Sequence, residues 1–134
     1  MAVRYLLDTN ICIYIQRRKP ERVLARFRKL RPGDAAISVV TWGELLCGAE
    51  RSRKRKTVLR VLEEFRGLIP VLPLPEEVGK SYGVIRASLE AKGTPIGNND
   101  LWIAAHAAAA GLTVVTNNER EFQRVPGLKI QNWA

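Results

Sequence analysis

The sequence predicts an α/β fold, a three-layer sandwich in which helices cover both faces of a mostly parallel central sheet. Short apolar segments alternate along the chain with longer segments whose apolar residues recur at helical spacing. This alternation is typical of parallel sheets, because each parallel strand needs a helical crossover to reach the next one. With 134 residues, 46% of them hydrophobic, the chain suits one core, so we expect a single domain over residues 1–134.

The first half of the chain predicts two strands and four helices. In order, these are a strand over 3–7, a helix over 11–17, a helix with Pro20 in its first turn, a strand over 35–39, a helix that begins at Thr41 and a helix that carries Val58, Leu62 and Phe65. The first strand ends at the polar residue Asp8, as a buried strand does where it reaches a surface.

The second half predicts three strands and two longer helices. In order, these are a strand over 69–72, a helix that carries Val78, Tyr82, Ile85 and Leu89 and closes at Gly93, a helix that leads on from Asp100 and ends at Gly111, a strand over 112–115 and a last strand over 128–130. The alanine-rich residues 104–110 favour close packing of that helix against the sheet.

The charge of the chain predicts a polyanionic partner. Its formal net charge is +9, and most of its 22 lysines and arginines lie between Arg17 and Arg60. Clustered cations bind nucleic acids because they release counterions from the phosphates. A solvated helix surface kept soluble by charge explains the same composition, and composition alone leaves both interpretations open.

Other features exclude several classes of protein. No apolar run approaches the length that crosses a bilayer, and the first residues lack the layout of a signal peptide, so we expect a soluble, cytoplasmic protein without a membrane partner. Cys12, Cys47 and the single His106 show neither disulfide-scaffold nor zinc-site spacing. We expect reduced cysteines in or near the core and a packed or partly exposed histidine.

Three acids are candidates for a metal site. Asp8 follows the first strand, and Glu44 and Asp100 lie in the first turns of two helices, so the fold would bring them to one rim of the sheet. A cluster of carboxylates suits Mg²⁺ or Mn²⁺, which can polarise a phosphate and activate water. Each acid also has a structural explanation. Glu44 can complete a capping box with Thr41, Asp100 can favour a helix dipole, and Asp8 can cap the next helix.

Four motifs, in order and spacing, resemble those of PIN-domain ribonucleases, and most closely the VapC toxins of bacterial toxin–antitoxin pairs. They are LLDTNICIY (residues 6–14), SVVTWGELLCGA (38–49), PIGNNDLWIAAH (95–106) and TNNEREF (116–122). The resemblance runs from Val3 to Trp133 and implies a PIN-like fold.

The resemblance implies a Mg²⁺- or Mn²⁺-dependent endoribonuclease, often one that cuts tRNA near the anticodon and so inhibits translation. Asp8, Glu44 and Asp100 match the family's metal-site acids, and Thr9 and Thr116 match its hydroxyl residues. Many PIN domains carry Asp where this chain has Asn118, which makes Glu121 the expected fourth carboxylate. The family also implies a cognate VapB-type antitoxin and a homodimer. The three tryptophans, Trp42, Trp102 and Trp133, favour an interface for one or two of them, while core packing is the better interpretation of any single one.

The expected phosphate contacts are Arg86 and the basic run that contains Arg51, Arg53, Lys54, Arg55 and Lys56. Two other functions stay open at this point. One is a PIN or flap-type nuclease that cuts DNA with the same metal chemistry, and the other is a non-catalytic basic RNA-binding module whose acids are helix caps. A receiver domain is disfavoured, because the first strand supplies one acid and residues 116–118 supply no lysine.

Overall fold

The computed structural model describes residues 2–134, and its centre is a five-stranded parallel sheet. The strands are β1 (Tyr5–Leu7), β2 (Ala35–Ser38), β3 (Val71–Leu72), β4 (Thr113–Val115) and β5 (Ile130–Gln131). They lie in the order β3-β2-β1-β4-β5, and every pairing between them is parallel. The predicted α/β class is therefore confirmed, and the described sheet is wholly parallel.

The helices connect these strands. They are α1 (Thr9–Arg17), α2 (Glu21–Arg28), α3 (Val39–Arg51), α4 (Arg55–Leu68), α5 (Val78–Ala91), α6 (Asn98–Ala110) and α7 (Glu119–Phe122). The helix predicted to begin at Thr41 begins at Val39, because the Ser38 side chain caps it by accepting the N–H of Val40. The last strand lies at Ile130–Gln131, slightly later than the predicted 128–130.

Alternate residues of each strand divide the core into two halves, one on each face of the sheet. Leu7 and Val115 pack with α1, α2, α3 and α4, whereas Leu6 and Val114 pack with α5, α6 and α7. Successive strand side chains point to opposite faces, so a fully buried strand is apolar throughout. The predicted three layers are thus present.

The strand order places a crevice between β1 and β4. The chain runs outward from β1 through β2 to β3, then returns to lay β4 against the other side of β1. The connections therefore leave in opposite directions on the two sides of this point. In open α/β sheets, ligands bind beyond the carboxyl ends of the strands at such a position. Asp8 follows β1 and Thr116 follows β4.

Packing in the core explains His106 and one of the two cysteines. Cys12 and His106 are buried, as expected for core residues. Cys47 is exposed, so its predicted place in or near the core was wrong: it lies on the outer side of α3, whose inner side carries Trp42, Leu45 and Ala49. Within residues 2–134, none of the helices has the length and apolar character that crossing a bilayer requires.

Candidate active site

Asp8 is the most rigidly held of the predicted acids. It is buried, and its Oδ1 accepts the backbone N–H of Ile11 at 3.0 Å, which caps α1. Its Oδ2 accepts the hydroxyl of the buried Thr116 at 2.5 Å, across the crevice between β1 and β4. Asp8 therefore does cap a helix, and the same side chain joins the two strands at the crevice.

Glu44 is positioned by Thr9. The hydroxyl of Thr9, at the start of α1, donates to Oε1 of Glu44 at 2.7 Å. The predicted capping box between Thr41 and Glu44 was wrong, because α3 starts at Val39 and leaves Glu44 beyond the first turn. Within the described residues, the buried Thr41 hydroxyl makes no hydrogen bond. Glu44 is thus available to the cleft, and helix capping does not explain its carboxylate.

Asp100 lies in the first turn of α6, as predicted, and is half-buried. The pKa of its carboxyl is raised from 3.8 to about 7, first by burial, then by the charges of Glu121, Asp8 and Glu44 and by a hydrogen bond to Glu121. Burial also raises the pKa of Asp8, helped by the charge of Glu44 and opposed by its hydrogen bonds. The acids are therefore close enough to repel one another, which is the expected signature of a shared site.

Glu121 is fixed by donors from two parts of the chain. Its Oε1 accepts the N–H of Gly97 at 2.5 Å, and its Oε2 accepts the side-chain amide of Asn118 at 2.6 Å. The N–H of Asn118 in turn donates to the hydroxyl of Thr116 at 2.8 Å. Asn118 thus supports Glu121 and does not itself carry charge into the cleft. The neighbouring Glu119 is partly buried, and the side-chain amide of Asn132 donates to it at 2.8 Å.

Two of the acids, Glu44 and Asp100, line an open cleft. A space of about 560 Å³ is bounded by Glu44 and by residues 97–100, and a groove of about 880 Å³ continues from Glu44 along the outer side of α3. Arg51 and Asn99 border that groove. The cleft is therefore accessible to a polymer as well as to a small molecule.

The predicted basic residues lie in different surroundings. Arg51 borders the groove that leads to Glu44, whereas Arg55 is paired with Glu50 at 2.8 Å. Arg53, Lys54 and Lys56 are exposed around the start of α4. Arg86, on α5, donates to the hydroxyl of Tyr82 at 2.7 Å and lies 3.5 Å from Glu90.

The donor set fits a hard divalent cation. Carboxylate oxygens from Asp8, Glu44 and Asp100 are the ligands that Mg²⁺ and Mn²⁺ prefer, and the mutual repulsion seen in the pKa of Asp100 is relieved by a positive charge. Among residues 2–134, no three Asp, Glu, His or Cys side chains already enclose a metal-sized site. Hydrogen bonds to Thr116, Thr9 and Gly97 occupy carboxylate oxygens of the cluster instead.

Sequence reasoning missed the contributions of Gly97, Tyr82 and Asn98. Gly97 donates to Glu121 from 24 residues away, and a Cβ on it would lie only 3.4 Å from that carboxylate. Tyr82 was assigned to a helix stripe, yet its hydroxyl donates to the side chain of Asn98 at 2.9 Å. The sequence held one signal for the contact between Tyr82 and Asn98. Asn98 is a polar residue in the motif around Asp100, a segment that helix capping otherwise explains.

The chain is similar in sequence to several known proteins. A model described as the PIN domain matches residues 5–128. The tRNA(fMet)-specific endonuclease VapC of Salmonella typhimurium is 44% identical over 132 residues, which cover 98% of this chain and 99% of the relative. Ribonuclease VapC2 of Haemophilus influenzae is 40% identical with the same coverage.

Solved structures of the same kind superpose closely. DNA-bound VapBC from Salmonella typhimurium matches with a TM-score of 0.92 at 43% identity, over 98% of this chain and 99% of the other. VapBC2 from Rickettsia felis, bound to a DNA fragment from its promoter, matches with a TM-score of 0.91 at 36% identity, over 98% of this chain and 100% of the other.

Proposed function

This chain belongs to the PIN-domain family and is one of its VapC ribonucleases, the toxins of toxin–antitoxin systems, and we propose that it cuts RNA with Mg²⁺ or Mn²⁺. In this proposal Asp8, Glu44 and Asp100 hold the cation, and Glu121 is the fourth carboxylate. The observation that carries it is the convergence of Asp8, Glu44 and Glu121 on the half-buried Asp100, whose pKa is raised to about 7 first by burial and then by the charges of these three acids.

A bound divalent cation would supply the polarisation of the scissile phosphate, the activation of water and the neutralisation of the leaving oxygen. The residues of the chain hold the geometry. Thr116 and the N–H of Ile11 fix both oxygens of Asp8, so that carboxylate needs no reorientation when substrate arrives. Thr9 does the same for one oxygen of Glu44.

Glu121 has a different part in the proposed site. Both of its oxygens accept hydrogen bonds, from Gly97 and Asn118, so it ties the loop after β4 to the start of α6. We place it beside the cation-binding acids, where its charge raises the proton affinity of Asp100 and, equally, the attraction for a cation.

We further propose tRNA as the substrate, with initiator tRNA as the first to test, because the Salmonella typhimurium relative is a tRNA(fMet)-specific endonuclease. A VapB-type antitoxin is the proposed protein partner, since related structures are VapBC complexes. The same proposal includes one PIN-like domain over residues 1–134, a homodimer and a cytoplasmic location. Arg51, beside the groove, and Arg86 are the proposed RNA contacts, with the exposed cations Arg53, Lys54 and Lys56 as weaker ones.

The test is cleavage of total tRNA by antitoxin-free protein, with Mg²⁺, with Mn²⁺ and with EDTA. Asp8→Asn serves as the matched variant, since it keeps the size of the side chain and the N–H contact of Ile11. We expect fragments only with metal and only from the unmodified chain. Initiator tRNA and elongator methionine tRNA transcripts then test the choice of substrate. RNA that stays intact with correctly folded protein under every condition would contradict the nuclease proposal.

A further inference from the structure

We propose that Asn98 contacts the RNA nucleotide beside the cleaved bond, and that Tyr82 is a positioning residue that holds the Asn98 amide for this contact. The inference rests on the proposed ribonuclease function and adds a specificity-determining residue to it. Its ligand class is a nucleotide whose base edge or phosphate offers hydrogen-bond acceptors.

Asn98 stands between two openings at the start of α6. On one side it borders the acid cleft, together with Glu44 and Asp100. On the other side it borders a separate small pocket, which Arg86, Glu90 and Ile96 also line. A polymer that places one phosphate at the acids and extends toward the pocket passes Asn98, which lines both openings. Asn98 is therefore placed to contact the nucleotide next to the cut.

Two contacts fix Tyr82, which in turn holds Asn98. The ring of Tyr82 stacks on Trp102 with centroids 3.8 Å apart and planes 17° apart. Arg86 donates to the Tyr82 hydroxyl at 2.7 Å, and that hydroxyl donates its own proton to Oδ1 of Asn98 at 2.9 Å. The hydroxyl thus has one acceptor and one donor role, each satisfied.

This arrangement leaves the Asn98 amide group as a donor. Its carbonyl oxygen is occupied by Tyr82, and within residues 2–134 its –NH₂ group makes no hydrogen bond. Asn98 is exposed, so those two N–H groups face solvent or substrate. Fixed amide donors bind phosphate oxygens and the acceptor edges of unstacked bases, which is how single-stranded RNA is read.

Packing between α5 and α6 does not require the Tyr82 hydroxyl. The two helices are joined by the buried Leu89 and Leu101, and the hydrogen bonds of Tyr82 lie at the exposed rim. Because exposed hydrogen bonds compete with water, a purely structural role predicts little effect of losing this one. A role in binding RNA predicts a selective effect on affinity, which separates the two explanations.

The experiment compares Tyr82→Phe, Asn98→Ala and the double variant. Tyr82→Phe keeps the ring that stacks on Trp102 and removes only the hydroxyl. The matched control is Tyr5→Phe, which removes a hydroxyl that accepts from Arg4 at 3.1 Å on β1, the strand that precedes Asp8. Initial rates on an initiator tRNA transcript with Mg²⁺ give KM and kcat, and titration of the same transcript in EDTA gives Kd.

Each single variant is expected to raise KM and Kd about 5- to 10-fold, the effect of one neutral hydrogen bond, with kcat within about twofold. The double variant is expected to match Asn98→Ala, because both changes remove one contact. Tyr5→Phe should leave all three constants unchanged. Unchanged KM and Kd in Asn98→Ala, or fully multiplicative effects in the double variant, would overturn the inference. If unmodified protein binds tRNA without cutting it, the ribonuclease proposal fails, while the Kd comparison still decides the role of Asn98.

Discussion

Replacing Asp100 with asparagine should stabilise the metal-free protein at neutral and alkaline pH. The carboxyl loses its proton near pH 3.8 in the unfolded chain and near pH 7 in the folded chain, where burial and three neighbouring acids disfavour the charge. Between these values the folded state binds more protons than the unfolded state, so stability declines as pH rises through this window. Above pH 7 the loss is complete, and the neutral amide of the Asp100→Asn variant avoids it.

The magnitude follows from the two pKa values, 3.8 and about 7. Unscreened, this difference corresponds to about 4 kcal/mol, and solvent around the half-buried side chain reduces the expected effect to about 2 kcal/mol. An amide at this position also weakens an interaction with the dipole of α6, which costs about 0.3 to 1 kcal/mol. The two effects oppose each other and repulsion is larger, so the expected net gain is about 1 kcal/mol.

The assay is urea and thermal unfolding in EDTA at pH 5 and pH 8. We expect a gain in Tm of about 3 to 5 °C at pH 8 and a smaller one at pH 5. Glu50→Gln is the matched control, since Glu50 is an exposed acid paired with Arg55 outside the cleft, and its replacement should give no gain. A clear drop in Tm for Asp100→Asn would refute the repulsion argument. It would mean that Asp100 affects stability mainly through its interaction with the dipole of α6. With Mg²⁺ or Mn²⁺ added, only the unmodified chain should gain stability.

Two further predictions concern the support of Asp8 and the binding of RNA. Thr116→Val should lower the free energy of unfolding by about 1 to 3 kcal/mol, measured in urea, because it removes a buried donor to Asp8; an unchanged value would mean that this hydrogen bond contributes nothing net. Arg51→Ala should weaken tRNA binding and reduce the salt dependence by about one phosphate contact, whereas Arg55→Ala should do so less, because Glu50 already offsets its charge. Equal losses in Kd for the two variants would argue against a path for RNA along α3.

The position of Asp8 was predictable because local signals agreed. An apolar strand that stops at a polar residue marks the rim of the sheet, and an Asp three residues before Ile11 is a helix cap. The alternation of strands and helices then places Thr116 at the neighbouring strand end. Rim residues of parallel strands can therefore be assigned from the chain order alone.

Side-chain partners across the cleft were not predictable in the same way. The pattern around Thr41 and Glu44 matched a capping box, but Ser38 caps α3 three residues earlier. A one-turn pattern does not reveal which of two nearby hydroxyls begins the helix. Glu121 and Gly97, or Tyr82 and Asn98, meet only because α5, α6 and the loop after β4 pack together. Such contacts depend on tertiary geometry, which spacing in the sequence does not contain.

Asp8 and Asp100 differ in how much their negative charge costs the folded protein. Asp8 is buried but receives two donors, so its charge is held in place at modest cost. Asp100 is half-buried and faces three other carboxylates, so its charge is costly unless a cation is present. The repulsion that lowers the stability of the metal-free fold is the same interaction that raises the attraction for a cation. Replacing Asp100 should therefore stabilise the metal-free fold and weaken metal binding together. Such a trade-off between stability and function is expected at a site of this kind.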